Sequence, residues 1–206
     1  MMFNTFILSE RFEKAICFAV SAHRNQTRKN IPSPYMTHLF AVTSMVCENI
    51  GFICDDPQKC EEYAMIAMLH DTVEDQGGND IYLRLVEEFG QFVADGVVAL
   101  SDCIPENGVK PPKAERNAAY LKKLQNDSLP IVLISCCDKI HNLNSMFADS
   151  LVVSDKDTFW NAFSASPADT IANYRRLGET YKNRLGEQRI VKIYQHVLDK
   201  VVSLLP

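Results

Sequence analysis

Tyr63-Ala64-Met65-Ile66-Ala67-Met68-Leu69-His70-Asp71-Thr72-Val73-Glu74-Asp75 is the stretch on which the reading of the chain turns. Its Ala-Met-Ile-Ala-Met-Leu run is apolar on every side of a helix, the pattern of a segment sunk in a core. At about 100° per residue, with His70 at zero, Asp71 falls at about 100°, Glu74 at about 40° and Asp75 at about 140°. That spacing predicts an imidazole and three carboxylates along one side of a single helix that stops near Gly77-Gly78. Such a group repels itself unless water surrounds it or a cation sits within it. The apolar run argues against full hydration, so a metal ion is the economical explanation.

The rest of the composition fits this core. The chain has 206 residues, 47% of them hydrophobic and 23% charged, as an ordinary globular protein has. One compact domain over residues 1–206 is expected. The formal net charge is −5, with no long basic run, which argues against nonspecific nucleic-acid binding. A negatively charged substrate must therefore meet a local basic cluster or a metal. The seven cysteines lack CxxC spacing and sit mostly in apolar helical surroundings. They read as buried free thiols in a reducing compartment. No leader pattern opens the chain and no apolar run is long enough to span a membrane, so a cytoplasmic protein with no membrane partner is expected.

Helical periodicity runs almost throughout. Phe12, Ala15, Ile16, Ala19 and Val20 predict a first helix over residues 8–23. After a basic segment and Ile31-Pro32-Ser33-Pro34, a second begins at Pro34 and carries His38, Leu39, Val42 and Val46. The helix bearing the opening stretch follows Pro57, and two more are hinged at Gly90. Ser101 to Pro112, rich in proline, is the longest loop, a place where compact domains put binding segments or lids. Helices near Lys113, over Pro130–Met146, Ser154–Ser166, Ile171–Tyr181 and Arg189–Leu205 complete the chain. Ile131-Val132-Leu133-Ile134 alone has the composition of a strand as well as of a buried helix.

His38, His70, Asp71 and Asp138 fall on three predicted helices. Two imidazoles and two carboxylates suit manganese, iron or zinc better than a site that prefers thiolates. Such an ion polarises a phosphoryl group and lowers the pKa of an attacking water. Taken singly, His38 reads equally as a helix histidine bonded to a backbone carbonyl.

Together these residues resemble a known family. His38, then His70-Asp71, then Asp138 follow the order of the HD superfamily of metal-dependent phosphohydrolases. Arg28-Lys29 with Pro34-Tyr35-Met36-Thr37-His38, Leu69 to Asp75, and Asp138-Lys139-Ile140-His141-Asn142-Leu143 look like the hydrolase domain of RelA/SpoT proteins, and most of all like the small stand-alone alarmone hydrolases. The likeness spans residues 10–185, and no synthetase-type segment is expected after it. It implies a single all-α HD domain of nine or ten helices that removes the 3′-pyrophosphate of guanosine tetra- and pentaphosphate, usually with Mn²⁺. It also implies that His38, His70, Asp71 and Asp138, on the second, third and seventh helices, hold the metal, while Glu74 and Asp75 position or deprotonate water.

By the same resemblance Arg28 and Lys29 meet phosphates and base, and Asn142 lies near the nucleoside. Lys113 and Arg116 match a basic pattern facing a distal phosphate, and Tyr174 and Arg175 match a Tyr-Arg pair at the pocket. For Asn142, Lys113, Arg116, Tyr174 and Arg175 a structural role on a helix surface explains the residue as well. Trp160 reads as core. The chain departs from the pattern at Ser135-Cys136-Cys137, where many alarmone hydrolases carry a lysine before small apolar residues. One expected phosphate contact is lost there. Two alternatives stay open: a phosphohydrolase of another phosphorylated nucleotide or cofactor, and a protein that binds an alarmone without cleaving it.

Overall fold

The computed structural model describes residues 4–28, 32–104, 110–153, 156–161 and 163–204. The described chain folds into α1 (Glu10–Ala22), α2 (Met36–Asn49), α3 (Pro57–Leu69), α4 (Thr72–Gln76), α5 (Asn79–Phe89), α6 (Gln91–Leu100), α7 (Lys113–Leu124), α8 (Leu129–Ser150), α9 (Lys156–Asn161), α10 (Pro167–Leu185) and α11 (Arg189–Val202). Nine of these eleven helices have ten residues or more, and α4 and α9 are short. The expected all-α fold is therefore the one observed. No strand occurs among the described residues; extended pairing is confined to one bridge between Thr27 and Pro34.

Local chemistry sets the helix starts. Ser9 Oγ accepts from Arg11 N to open α1, and Asp56 Oδ1 accepts from Gln58 N and Lys59 N to open α3, with Pro57 in its first turn. α2 begins at Met36 and not at Pro34. Pro34 is held instead in the bridge to Thr27, and Arg28 N and Tyr35 N extend that pairing to Ser33 O and Gln26 O. This narrow ribbon hands the chain from α1 to α2.

α3 is the centre of the molecule. Every residue from Cys60 to Leu69 is buried, as an apolar surface all round the helix requires. α1, α2 and α6 enclose it, and α8 packs behind. α6 comes unusually close: a Cβ on Gly96 would meet Ile66 Cγ1 at 2.9 Å. Ile131 to Asp138 form a second buried run on α8, which resolves the strand-or-helix ambiguity in favour of helix. α8 lies against α2, α10 and α11. The hinge after α5 sits at Gly90, whose φ of 87° is one that residues with a side chain rarely adopt.

The predicted continuous helix through His70 to Gly77 is not what forms. α3 ends at Leu69, His70 and Asp71 make a turn, and a separate five-residue α4 follows. The cause is local competition for carbonyls. His70 Nδ1 bonds Ala67 O at 2.8 Å and Thr72 Oγ1 bonds Leu69 O at 2.6 Å, each engaging a carbonyl at the end of the helix. Because of that break Asp138 stands on the eighth helix of the chain and not the seventh. The cysteines are all free, as expected, but only Cys60, Cys136 and Cys137 are buried; Cys17 is exposed and the others are half-covered.

Candidate functional site

His38 stands in the first turn of α2, His70 and Asp71 in the turn after α3, and Asp138 in the middle of α8. The packing of α2 and α8 against α3 brings them to one place. His38 Nε2 is 3.2 Å from His70 Nε2, 3.3 Å from Asp138 Oδ1 and 3.5 Å from Asp71 Oδ2. His70 Nε2 is 3.0 Å from Asp71 Oδ2 and 4.0 Å from Asp138 Oδ1. Both imidazoles are nearly sealed from solvent, 1% and 3% exposed.

The hydrogen bonds decide what these atoms offer. His70 Nδ1 faces a backbone carbonyl and must carry the proton, so in the neutral ring Nε2 presents a lone pair. His38 Nδ1 lies 2.8 Å from His141 Nδ1, and when it donates there its own Nε2 is likewise a lone pair. Two lone pairs and Asp138 Oδ1 then converge with no donor among them, in a buried group whose ligand atoms lie within 4.8 Å of one another, and Asp71 Oδ2 stands beside the two imidazoles. Only a proton or a metal cation relieves this, and the mixed nitrogen and oxygen set fits a divalent ion. In the protein alone the proton takes that place. Burial disfavours a charge on His70, but Asp71 and then Asp138 outweigh it and raise its pKa to about 9. Asp138 is buried and Asp71 half-buried, which opposes their charge, yet their cationic neighbours hold both well below the usual carboxylate range, led by His70 for Asp71 and by Lys139 for Asp138.

The outer faces of the carboxylates are held by three side chains, one at the start of α2 and two on α8. Tyr35 OH donates to Asp71 Oδ2 at 2.7 Å, Lys139 Nζ to Asp138 Oδ2 at 2.5 Å, and Asn142 Nδ2 to Asp138 Oδ1 at 2.6 Å. Asn142 also accepts from Arg28 Nη2 at 2.8 Å, and the Arg28 guanidinium lies 5.7 Å above the Tyr35 ring. Arg28 and Asn142 thus meet at the edge of the cluster. Lys29 lies outside the described residues.

Glu74 and Asp75 do not share one side as a continuous helix demanded. Glu74 turns to the loop after α6, where Oε1 is 2.8 Å from Lys110 Nζ and Oε2 accepts from Asp102 N at 3.0 Å. Asp75 turns to Gln26, whose Nε2 donates to Oδ2 at 2.8 Å. Burial, opposed by Lys110, leaves the Glu74 pKa raised. Arg116 pairs with Asp102 Oδ2 at 2.5 Å and with Pro111 O, so it braces the same loop. Lys113, one turn earlier, is exposed. Tyr174 is half-buried on α10, within electrostatic reach of Lys139 and Asp138, while Arg175 beside it is exposed. Trp160 is buried and donates to Leu204 O, a core role.

Sequence reasoning missed several residues that line or support this site: Tyr35, Lys139, His141, Lys110, Asp102, His23 and Gln26. Tyr35 and His141 each stand three residues from a candidate ligand, a spacing that puts them on its helix face and was the available signal. Lys110 and Asp102 carried none, because a loop has no period. The missing lysine has a structural counterpart at Ser135, whose hydroxyl is buried between Tyr120 OH at 2.7 Å and Tyr181 OH at 2.8 Å.

No protein-family model matches the chain. Guanosine-3′,5′-bis(diphosphate) 3′-pyrophosphohydrolase MESH1 of Danio rerio is 31% identical over 134 residues, which make up 65% of this chain and 67% of that protein. The bifunctional (p)ppGpp synthase/hydrolase SpoT of Escherichia coli (strain K12) is 29% identical over 140 residues, 66% of this chain. Those residues are 18% of SpoT, so the chain spans less than a fifth of that relative's length. Among solved structures, a metazoan ortholog of SpoT superposes with a TM-score of 0.71 at 20% identity over 98% of this chain and 100% of its own. A Listeria monocytogenes EGD-e protein does so with a TM-score of 0.64, also at 20% identity, over 83% of this chain and 97% of its own. Both share the fold, and at the sequence level the likeness to the Danio rerio protein places this chain in the family of guanosine-3′,5′-bis(diphosphate) 3′-pyrophosphohydrolases.

Proposed function

We propose that the chain, as a single HD-type unit, hydrolyses guanosine tetra- and pentaphosphate at the 3′-diphosphate, leaving GDP from the first or GTP from the second, and pyrophosphate. The observation that carries this reading is the buried group of His38 Nε2, His70 Nε2 and Asp138 Oδ1, with Asp71 Oδ2 against both imidazoles and no donor between them. Those four residues would hold the ion. Mn²⁺ suits their donors, and when bound it supplies Lewis acidity toward a phosphoryl oxygen and toward water.

The protein groups do the rest. Water attacks the phosphorus next to the ribose 3′ oxygen, the P–O3′ bond breaks, and the ribose hydroxyl recovers a proton. Glu74 takes the proton from the attacking water, and burial, opposed by Lys110, raises its proton affinity. Lys110 beside it and Arg28 across the cluster offer charge-assisted bonds to phosphate oxygens. Asn142 sits between Arg28 and Asp138 and orients both. Asp75, Lys113, Arg116, Tyr174 and Arg175 stand as further contributors, and so does Lys29, which follows Arg28 in the sequence. A cytoplasmic setting agrees with seven unpaired thiols.

Ser135 favours one second reading. Sealed between two tyrosine hydroxyls, it supplies no cation where the family pattern has a lysine. A differently phosphorylated nucleotide would miss that contact less.

Purified protein with Mn²⁺ is expected to release pyrophosphate from guanosine tetraphosphate. Asp71→Ala removes the activity and Glu74→Gln lowers kcat by about 10²- to 10⁴-fold. A wild type inert on this substrate but active on other nucleotides selects the second reading, and one that binds without turnover is a sensor.

A further inference from the structure

We propose that His23 and the side-chain amide of Gln26 form a clamp that sets Asp71 and Asp75 in register with each other, making His23 a positioning residue for the hydrolysis. The inference rests on the hydrolase reading above. His23 is the C-cap of α1, its N–H bonded to Ala19 O, and its side chain is buried although it belongs to neither the ion cluster nor its donors. Two arms leave it. The ring stacks on Tyr35 at 5.1 Å and 14°, and Tyr35 OH holds Asp71 Oδ2. Nδ1 lies 2.6 Å from Gln26 Oε1, and Gln26 Nε2 holds Asp75 Oδ2.

The polarity of this chain follows from valence. Asp75 as a carboxylate only accepts, so Gln26 turns its NH₂ toward it and its oxygen toward His23. Gln76 Nε2 donates to that same oxygen and also lies 3.3 Å from His23 Nδ1; the shorter contact, 2.6 Å to Gln26 Oε1, makes His23 Nδ1 the donor. The neutral ring then carries its proton on Nδ1, and Nε2 is a buried acceptor with no partner among the described residues. A phenylalanine would fill the same space against Tyr35 without stranding an atom. What the imidazole adds is the Nδ1 donor, and with it control over where Gln26 points. The backbone repeats the link, because Tyr35 N donates to Gln26 O and Gln26 N to His23 O. One residue at the end of α1 therefore reaches a candidate ligand through Tyr35 and a candidate water-positioning acid through Gln26.

Four variants test it. His23→Phe keeps the stack and drops the donor, and Gln26→Glu keeps the acceptor and turns a second carboxylate on Asp75. Each is expected to lower kcat about tenfold or more with KM for guanosine tetraphosphate within about threefold. The double variant should lose no more than the worse single, because both act through one contact. His23→Ala, which also removes the stack, is expected to weaken Mn²⁺ binding in calorimetric titration about tenfold, a readout independent of turnover. Wild-type kcat in either single variant, or fully additive losses in the double, overturns the clamp. A wild type with no pyrophosphate release overturns the hydrolase reading instead, and the Mn²⁺ affinity of His23→Ala then decides the clamp alone: unchanged affinity overturns it.

Discussion

His141 shows what a single side chain contributes from outside the ion cluster. It never reaches the four converging atoms, yet its Nδ1 is the only side-chain partner of His38 Nδ1 among the described residues and so aims the ligand nitrogen inward. Burial first, then the neighbouring His38 and Arg28, lower its pKa to about 4, which leaves it neutral and able to accept the His38 proton at any ordinary pH. His141→Ala should therefore leave the fold intact and raise the Mn²⁺ dissociation constant about 10- to 100-fold. A calorimetric titration that returns the wild-type constant would refute that role. The ligand types were legible because His70-Asp71 and Asp138 stand at the end or in the middle of apolar runs. Their supports were not, since Tyr35 and Asp71, or Arg28 and Asn142, are joined only by tertiary packing across 36 and 114 residues.

At the scale of elements, the long helices follow from periodicity and caps, whereas the turn at His70-Asp71 escapes it. Helical periodicity assumes that every carbonyl bonds the chain; here two side chains take a share of the last carbonyls of α3. The consequence is functional: Glu74 and Asp75 leave on α4 toward two different partners, the α6–α7 loop and Gln26. The position of that turn depends in its turn on how α6 sits on α3. Ile66 lies one helical turn before His70, and Gly96 is the residue that lets α6 press on it. Gly96→Ala gains about 1 kcal/mol in helix propensity but overpacks the contact at about 1–3 kcal/mol. A net loss of stability is expected, seen as a lower urea midpoint with an unchanged slope, together with reduced pyrophosphate release as His70 is displaced. A variant as stable as the wild type would mean that α6 slides on α3 without resistance.

Across the whole molecule the candidate site is a junction of three segments, α2, the α3–α4 turn and α8, joined by packing and by the Tyr35–Asp71 and His38–His141 hydrogen bonds. The acceptor atoms that meet there repel one another unless a proton or a cation lies among them, and a metal ion competes with the His70 proton for that place. An ion bound to the native state and not to the unfolded chain stabilises by RT ln(1 + [L]/Kd), about 2.7 kcal/mol at a hundredfold excess over Kd. For a chain of this size that amounts to a rise in Tm of about 5–10 °C. Mn²⁺ should produce such a rise, a chelator should reverse it, and Asp138→Ala should abolish the response, because without that carboxylate α8 no longer reaches the cluster. Calcium, which prefers six or more oxygen ligands, should stabilise far less at the same concentration. A melting temperature indifferent to Mn²⁺ and chelator alike would mean that a proton on His70, and no metal, is what the four residues were gathered to hold.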